Sequence, residues 1–186
     1  MKMQIMKENR ILFTDARVIA SEGVLTRGWL LTNGRSIAAH GKGEPPQDIR
    51  TKANQEIRVE GHYLLPGFID LHTHGAAGVD LMTATVDDFQ RVSSFFASHG
   101  VTGFLATTWS ASADVIRQTL ETAQEVMGRE EGAALLGIHL EGPFINPMRA
   151  GAQSPQQIRP ARPDEVLPYL DSGLVKLVSL APEIEE

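Results

Sequence analysis

Over residues 11–60 apolar and polar positions alternate in short runs. ILFTDARVIA, VLTRGWLL and QEIRVE each mix β-branched or aromatic residues with polar ones, the pattern of half-buried strands. Glu22-Gly23, Asn33-Gly34 and Gly41-Lys42-Gly43 punctuate these runs. Asn33-Gly34, lying between WLLT and RSIAAH, predicts a tight hairpin because both residues tolerate positive φ. Gly43-Glu44-Pro45-Pro46-Gln47 is expected to form a solvated turn. A sheet of about four short strands is thin by itself and is expected to need another surface to cover it.

From Tyr63 onward the rhythm changes, and apolar strand-like runs alternate with amphipathic helical stretches. Residues 63–71 read as a strand. Val86, Phe89, Val92 and Phe96 share one helical face behind a Thr85 or Asp87 cap. A second strand spans 101–107, entered through Gly100 as a helix stop. Ile116, Leu120, Ala123 and Met127 repeat at helical spacing, and residues 134–140 form a third strand. A Pro/Gly-rich loop runs over 142–162. Pro163 then opens a short helix carrying Val166, Leu167 and Leu170, and 174–180 is a fourth strand. The alternation of nearly continuous apolar strands with helices predicts an α/β fold with a parallel sheet covered on both faces. The strands end in His72-Thr73-His74, Thr107-Thr108-Trp109, Glu141 and Glu183. In barrels and open parallel sheets that C-terminal edge is where active sites are built.

Composition narrows the chemistry. The 186 residues carry 17 Lys+Arg against 23 Asp+Glu, a net charge of −6, so no basic face supports nucleic-acid or membrane-surface binding. No apolar run approaches the ~18 to 20 residues of a membrane span, and MKMQIMKENR at the N-terminus is charged and broken up. The absence of cysteine removes disulfides, thiolate metal sites and cysteine nucleophiles together, leaving His and carboxylates as metal ligands. A cytoplasmic protein is expected.

His72 and His74, two apart at a strand end, place both imidazoles on one side of the backbone, where one divalent metal or two close together can be reached. The plainer reading is a pair of loop histidines making ordinary hydrogen bonds. Asp70 before the pair and Gly75 after it tilt the balance toward a site. Glu141, followed by Gly142-Pro143, reads either as a metal ligand or as a capping carboxylate. Together His72, His74 and Glu141 make a His₂-carboxylate set that leaves a coordination position open for water. Such a metal brings the pKa of its water toward ~7 and polarises a carbonyl, the requirements of amide hydrolysis. His139, two before Glu141, reads either as a partner orienting the carboxylate or as a satisfied core histidine. Thr107 and Thr108 read as structural strand-end residues, whereas Gly151-Ala152-Gln153 lies where a loop can contact a sugar or phosphate. No P-loop, GxGxxG or GxSxG is present, so nucleotide binding and serine hydrolysis have no support.

LLPGFIDLHTHG resembles the first barrel strand of the amidohydrolase superfamily, and alone it leaves dihydroorotase, hydantoinase, urease-like and deacetylase readings open. GIHLEGPFIN, then AGAQSP, then VSLAPE is more specific and resembles the N-acetylglucosamine-6-phosphate deacetylase family, with similarity from Ile11 to the last residue. The resemblance implies a (β/α)₈ TIM-type barrel with a small β-sandwich domain built from both chain ends. It also implies homodimers and hydrolysis of N-acetylglucosamine 6-phosphate, an amino-sugar phosphate, to glucosamine 6-phosphate and acetate. It assigns Glu141 to the catalytic metal and His72 and His74 to a second metal, with zinc or iron as the cofactor and one or two ions bound. Ala152 and Gln153 match sugar-contacting loop positions, where some relatives carry a histidine in place of Gln153. Members of that family are longer than this chain, and the general base is expected beyond residue 186. Residues 1–60 are therefore expected to be the N-terminal portion of the sandwich, and 61–186 the first four βα units of a truncated barrel, inactive alone. Another amidohydrolase acting on a cyclic amide and a non-catalytic half-barrel are the alternatives.

Overall fold

The computed structural model describes residues 9–184; the expectation made on the first eight residues lies outside them. The chain divides into two compact units, one up to Pro66 and one from Gly67 onward.

The first unit is a five-stranded sheet of β1 (Ile11–Ala20), β2 (Gly23–Asn33), β3 (Ser36–Lys42), β4 (Gln55–Arg58) and β5 (Tyr63–Leu64), with the short helix α1 (Gln47–Arg50) between β3 and β4. Its order is β3-β2-β1-β4, with β5 also on β1. A tight hairpin forms where expected, but its two loop residues are Gly34, at φ +57°, and Arg35, with Asn33 the last residue of β2 paired to Ser36. Leu12, Ala16 and Val18 of β1 are buried at alternate positions and pack with Trp29, Leu30 and Leu31 of β2. Two sequence expectations change. The turn expected over 43–47 runs into α1, because Pro46 at the helix entrance supplies a fixed φ and Asp48 sits in the first turn. The single strand expected over 63–71 is two strands, because Leu65-Pro66-Gly67 interrupts it and Tyr63–Leu64 pairs with Arg17–Val18 of β1. The division consequently comes after Pro66, six residues beyond position 60.

The second unit holds β6 (Phe68–Thr73), the two-stranded ribbon of β7 (Gly75–Ala76) and β8 (Val79–Asp80), α2 (Val86–Ser98), β9 (Val101–Thr107), α3 (Ala113–Val126), β10 (Ala134–Glu141), α4 (Pro163–Asp171) and β11 (Val175–Ser179). β6, β9, β10 and β11 form one parallel sheet in the order β11-β10-β9-β6. This is the expected α/β arrangement of parallel strands alternating with helices. α2 starts at a full capping box, in which Thr85 accepts from the Asp88 N–H and Asp88 accepts from the Thr85 N–H. Phe89, Val92 and Phe96 of α2 and Ile116, Leu120, Ala123 and Val126 of α3 pack on Phe104, Leu135, Ile138 and Leu140 of the sheet. Met127 sits at the C-cap of α3 and, partly buried, still packs against the core with the rest of the stripe. In α4 Tyr169 is buried and the expected Val166 packs partly buried against the core, whereas Leu167 and Leu170 are exposed; Arg159 and Glu165 hold the phenol inward.

The sheet is well covered only in its middle. β9 and β10 are mostly buried, while Phe68, Ile69 and Leu71 of the edge strand β6 are 55–60% exposed. Among the described residues no helix is long and apolar enough to cross a membrane.

Candidate metal centre

Three strand ends of the second unit meet at one edge. β6 delivers His72 and, one residue past its end, His74; β10 delivers Glu141 as its last residue; β9 lies between them. One potential ligand atom from each of His72, His74 and Glu141 lies within 4.8 Å of the others. The carboxylate and His74 are half-buried and His72 is more open, so the group faces an accessible space.

The hydrogen bonds decide which atoms are free. His74 Nδ1 lies 3.2 Å from the Thr107 carbonyl, which only accepts, so Nδ1 carries the proton. Nε2 therefore faces Glu141 Oε2 at 3.2 Å, lone pair against lone pair unless a proton or a cation lies between them. Oε2 also accepts from the Gln153 side-chain amide at 2.7 Å, and Gln153 Oε1 accepts from the Ser110 backbone N–H at 2.6 Å. His72 Nδ1 lies 3.2 Å from His139 Nδ1, and His139 Nε2 lies 2.9 Å from Ser179 Oγ. Burial pushes the His139 imidazole below the usual histidine range, and the neighbouring His72 adds to this, so the neutral form of His139 is favoured.

The segment closing β9 binds the group together. Thr107 Oγ1 accepts from the Thr73 N–H at 2.9 Å, Thr108 Oγ1 accepts from the Glu141 N–H at 3.2 Å, and Trp109 stacks on His74 with centroids 3.4 Å apart and planes 9° apart. The two threonines, read from sequence as structural, thus orient the strands that carry the donors. His139, for which both readings stood open, sits in the network against His72. Gln153 is buried with its amide committed to Glu141 and Ser110, while Ala152 is exposed beside it. The sequence reading places Trp109 only in a polar strand end, without a role, and singles out neither Ser110 nor Ser179; the strand end TTWS beside His72-x-His74 is the signal for the first two.

The amidohydrolase family model matches residues 63–184, about two thirds of the chain and nearly all of the parallel-sheet unit. The chain belongs to the amidohydrolase family. Among amidohydrolase relatives, it is 37% identical over 183 residues to the N-acetylglucosamine-6-phosphate deacetylase of Bacillus subtilis (strain 168), covering 95% of this chain and 45% of the relative. Identity to the enzyme of the same name from Vibrio furnissii is 41% over 124 residues, covering 64% of this chain and 31% of that one. In solved structures it is similar to a variant of the Mycobacterium smegmatis N-acetyl-D-glucosamine-6-phosphate deacetylase in complex with N-acetyl-D-glucosamine-6-phosphate. That similarity has a TM-score of 0.81 at 31% identity over 95% of this chain and 45% of the other. The Thermotoga maritima deacetylase matches with a TM-score of 0.75 at 32% identity, over 94% and 43%. This amidohydrolase chain therefore spans less than half the length of the curated relatives it matches.

Proposed function

We propose that this chain carries the N-terminal part of a metal-dependent deacetylase acting on N-acetylglucosamine 6-phosphate, yielding glucosamine 6-phosphate and acetate. The observation that carries the reading is the convergence of His72, His74 and Glu141 at the C-terminal edge of a parallel sheet, in a chain 37% identical to such a deacetylase over 95% of its length.

The donor set suits a divalent metal. Two imidazoles and one carboxylate, with a potential ligand atom of each within 4.8 Å of the others, would hold a divalent metal and leave coordination positions open. A zinc or iron ion there, alone or as a pair, supplies Lewis-acid polarisation of the acetamide carbonyl and a water acidic enough to attack it near neutral pH. The protein's part is to hold and orient. With His139 neutral, a bond donated by His72 Nδ1 to His139 Nδ1 leaves His139 to donate from Nε2 to Ser179, and frees His72 Nε2 as a lone pair. Gln153 fixes one oxygen of Glu141. On this reading Ala152, exposed on the same loop, contacts the sugar, while Gln153, buried with its side-chain amide bonded to Glu141 and Ser110, serves the substrate through Glu141.

On this reading the parallel sheet is the first half of a (β/α)₈ barrel and the first unit a portion of a β-sandwich. The full-length protein is a cytoplasmic homodimer, and the general base lies beyond residue 186. The test is acetate release from N-acetylglucosamine 6-phosphate by the 186-residue chain and by the same chain continued with the remaining part of the Bacillus subtilis relative. The continued protein is expected to turn over and to lose activity on Glu141→Gln, while the 186-residue chain stays inactive. A folded, metal-loaded continued protein that hydrolyses a cyclic amide and not this substrate overturns the assignment.

A further inference from the structure

Residues 107–110 contact His74, Glu141 and Gln153 and supply none of the three potential ligand atoms. Within that segment the indole of Trp109 makes the contact least explained by strand or loop structure. It lies parallel to the His74 imidazole, 9° between planes and 3.4 Å between centroids, and is itself only half-buried. We propose that Trp109 is a positioning residue that fixes the ring plane of His74 and so presents Nε2 to a divalent metal. The inference rests on the metal site proposed above.

An imidazole hangs on two torsions, and the outer one is broad. The bond from Nδ1 to the Thr107 carbonyl pins one atom within the ring plane but leaves the plane free to swing about that bond. A flat partner pressed on the ring face removes this swing, and the edge-on approach of His72, with centroids 5.1 Å apart and planes at 83°, limits it from another side. The contacts with Thr107 and Trp109 are complementary, one acting in the plane and the other across it. The stack also discriminates between states. An aromatic face attracts positive charge, and indole does so best, so an imidazole that gains positive character on binding a cation is held more tightly than a neutral one. The indole also keeps water from one face of the donor.

The test compares Trp109→Ala and Trp109→Phe with wild type as the whole 186-residue chain, with folding checked by circular dichroism. Zn²⁺ affinity is measured by equilibrium dialysis, and the His74 ring protons are read by NMR with no metal added, assigned through their loss in His74→Gln. Wild type is expected to show those protons shifted upfield by the indole. Trp109→Ala removes the shift and weakens Zn²⁺ binding about tenfold or more, the usual scale for losing a group that orients a ligand. Trp109→Phe retains a flat face and falls between the two. A folded Trp109→Ala that loses the shift yet binds Zn²⁺ as wild type does overturns the positioning role, as does a wild-type spectrum without the shift. Absence of Zn²⁺ uptake by wild type overturns the metal site and the positioning role with it. That failure is told apart from failure of the stack because the ring shift is read without metal.

Discussion

Gln153 shows how one side chain can serve a site by being fully occupied. Its amide donates to Glu141 and accepts from the Ser110 N–H, both across long sequence separations. Replacing it with alanine strands the buried Ser110 N–H, for which the expected loss is about 1–3 kcal/mol of stability by chemical denaturation. Zn²⁺ affinity is expected to fall in the same variant, because Glu141 loses the donor that sets its orientation. Gly142 gives a second residue-scale prediction. Its φ is +73° and an added Cβ would lie 2.2 Å from Ser110 Oγ, so Gly142→Ala should lower the denaturation midpoint well beyond a typical surface substitution. At this scale the convergence of His72, His74 and Glu141 was legible, because strand period and position place all three at one edge of the sheet. The residues that hold them were not, since Trp109 and Ser110 act through tertiary contacts that leave no periodic trace.

Among the elements, α2 and the strands β9 and β10 follow their sequence pattern closely, because local cap and apolar stripe agree with the packing. Thr85→Ala removes one arm of the α2 capping box and should cost about 1 kcal/mol, measurable by urea denaturation. α4 departs from its pattern because an ion pair overrides the apolar stripe. Arg159 pairs with Glu165, Tyr169 donates to Glu165 at 3.2 Å, and Arg159 also donates to the Ala111 carbonyl at 2.9 Å. The Arg159 guanidinium holds the Glu165 carboxyl below its ordinary value of 4.5, so this stabilisation is present above that pH and is lost as the solution is acidified below it. Burial pushes the Tyr169 phenol up from 10.0 to about 12, so the same cluster is fully stabilising below pH 10 and weakens as pH rises toward 12. A stability profile across pH should show both limbs, with Glu165→Gln flattening the acid one and Tyr169→Phe the alkaline one. The break in the 63–71 run escaped the pattern for a different reason. Pro66-Gly67 was visible, but that Tyr63–Leu64 pairs with β1 is a long-range fact.

At the scale of the second unit, the parallel sheet has β6 and β11 at its two edges, each with one strand neighbour. Phe68, Ile69 and Leu71 are exposed along the first, and Leu177 lies 39% exposed on the second. Exposed apolar edge strands associate readily. The 186-residue chain should therefore sediment as a concentration-dependent mixture, and Ile69→Lys should shift it toward monomer. Alternation of strands and helices made the parallel sheet readable in advance. The exposed apolar edges follow only from the family resemblance, because four βα units make half of a barrel; the apolar runs themselves look the same whether or not another surface lies on them.

The strands of this sheet lie side by side in the order in which they occur along the chain, β6, β9, β10, β11. A ribosome making the protein thus releases each strand when the edge it must join already exists, and no earlier strand has to part to admit a later one. Until residue 141 has emerged, the nascent chain exposes two bare imidazoles without their carboxylate. On the metal site proposed above, capture of the ion would accordingly belong to a late moment in biosynthesis, after β10 has docked on β9.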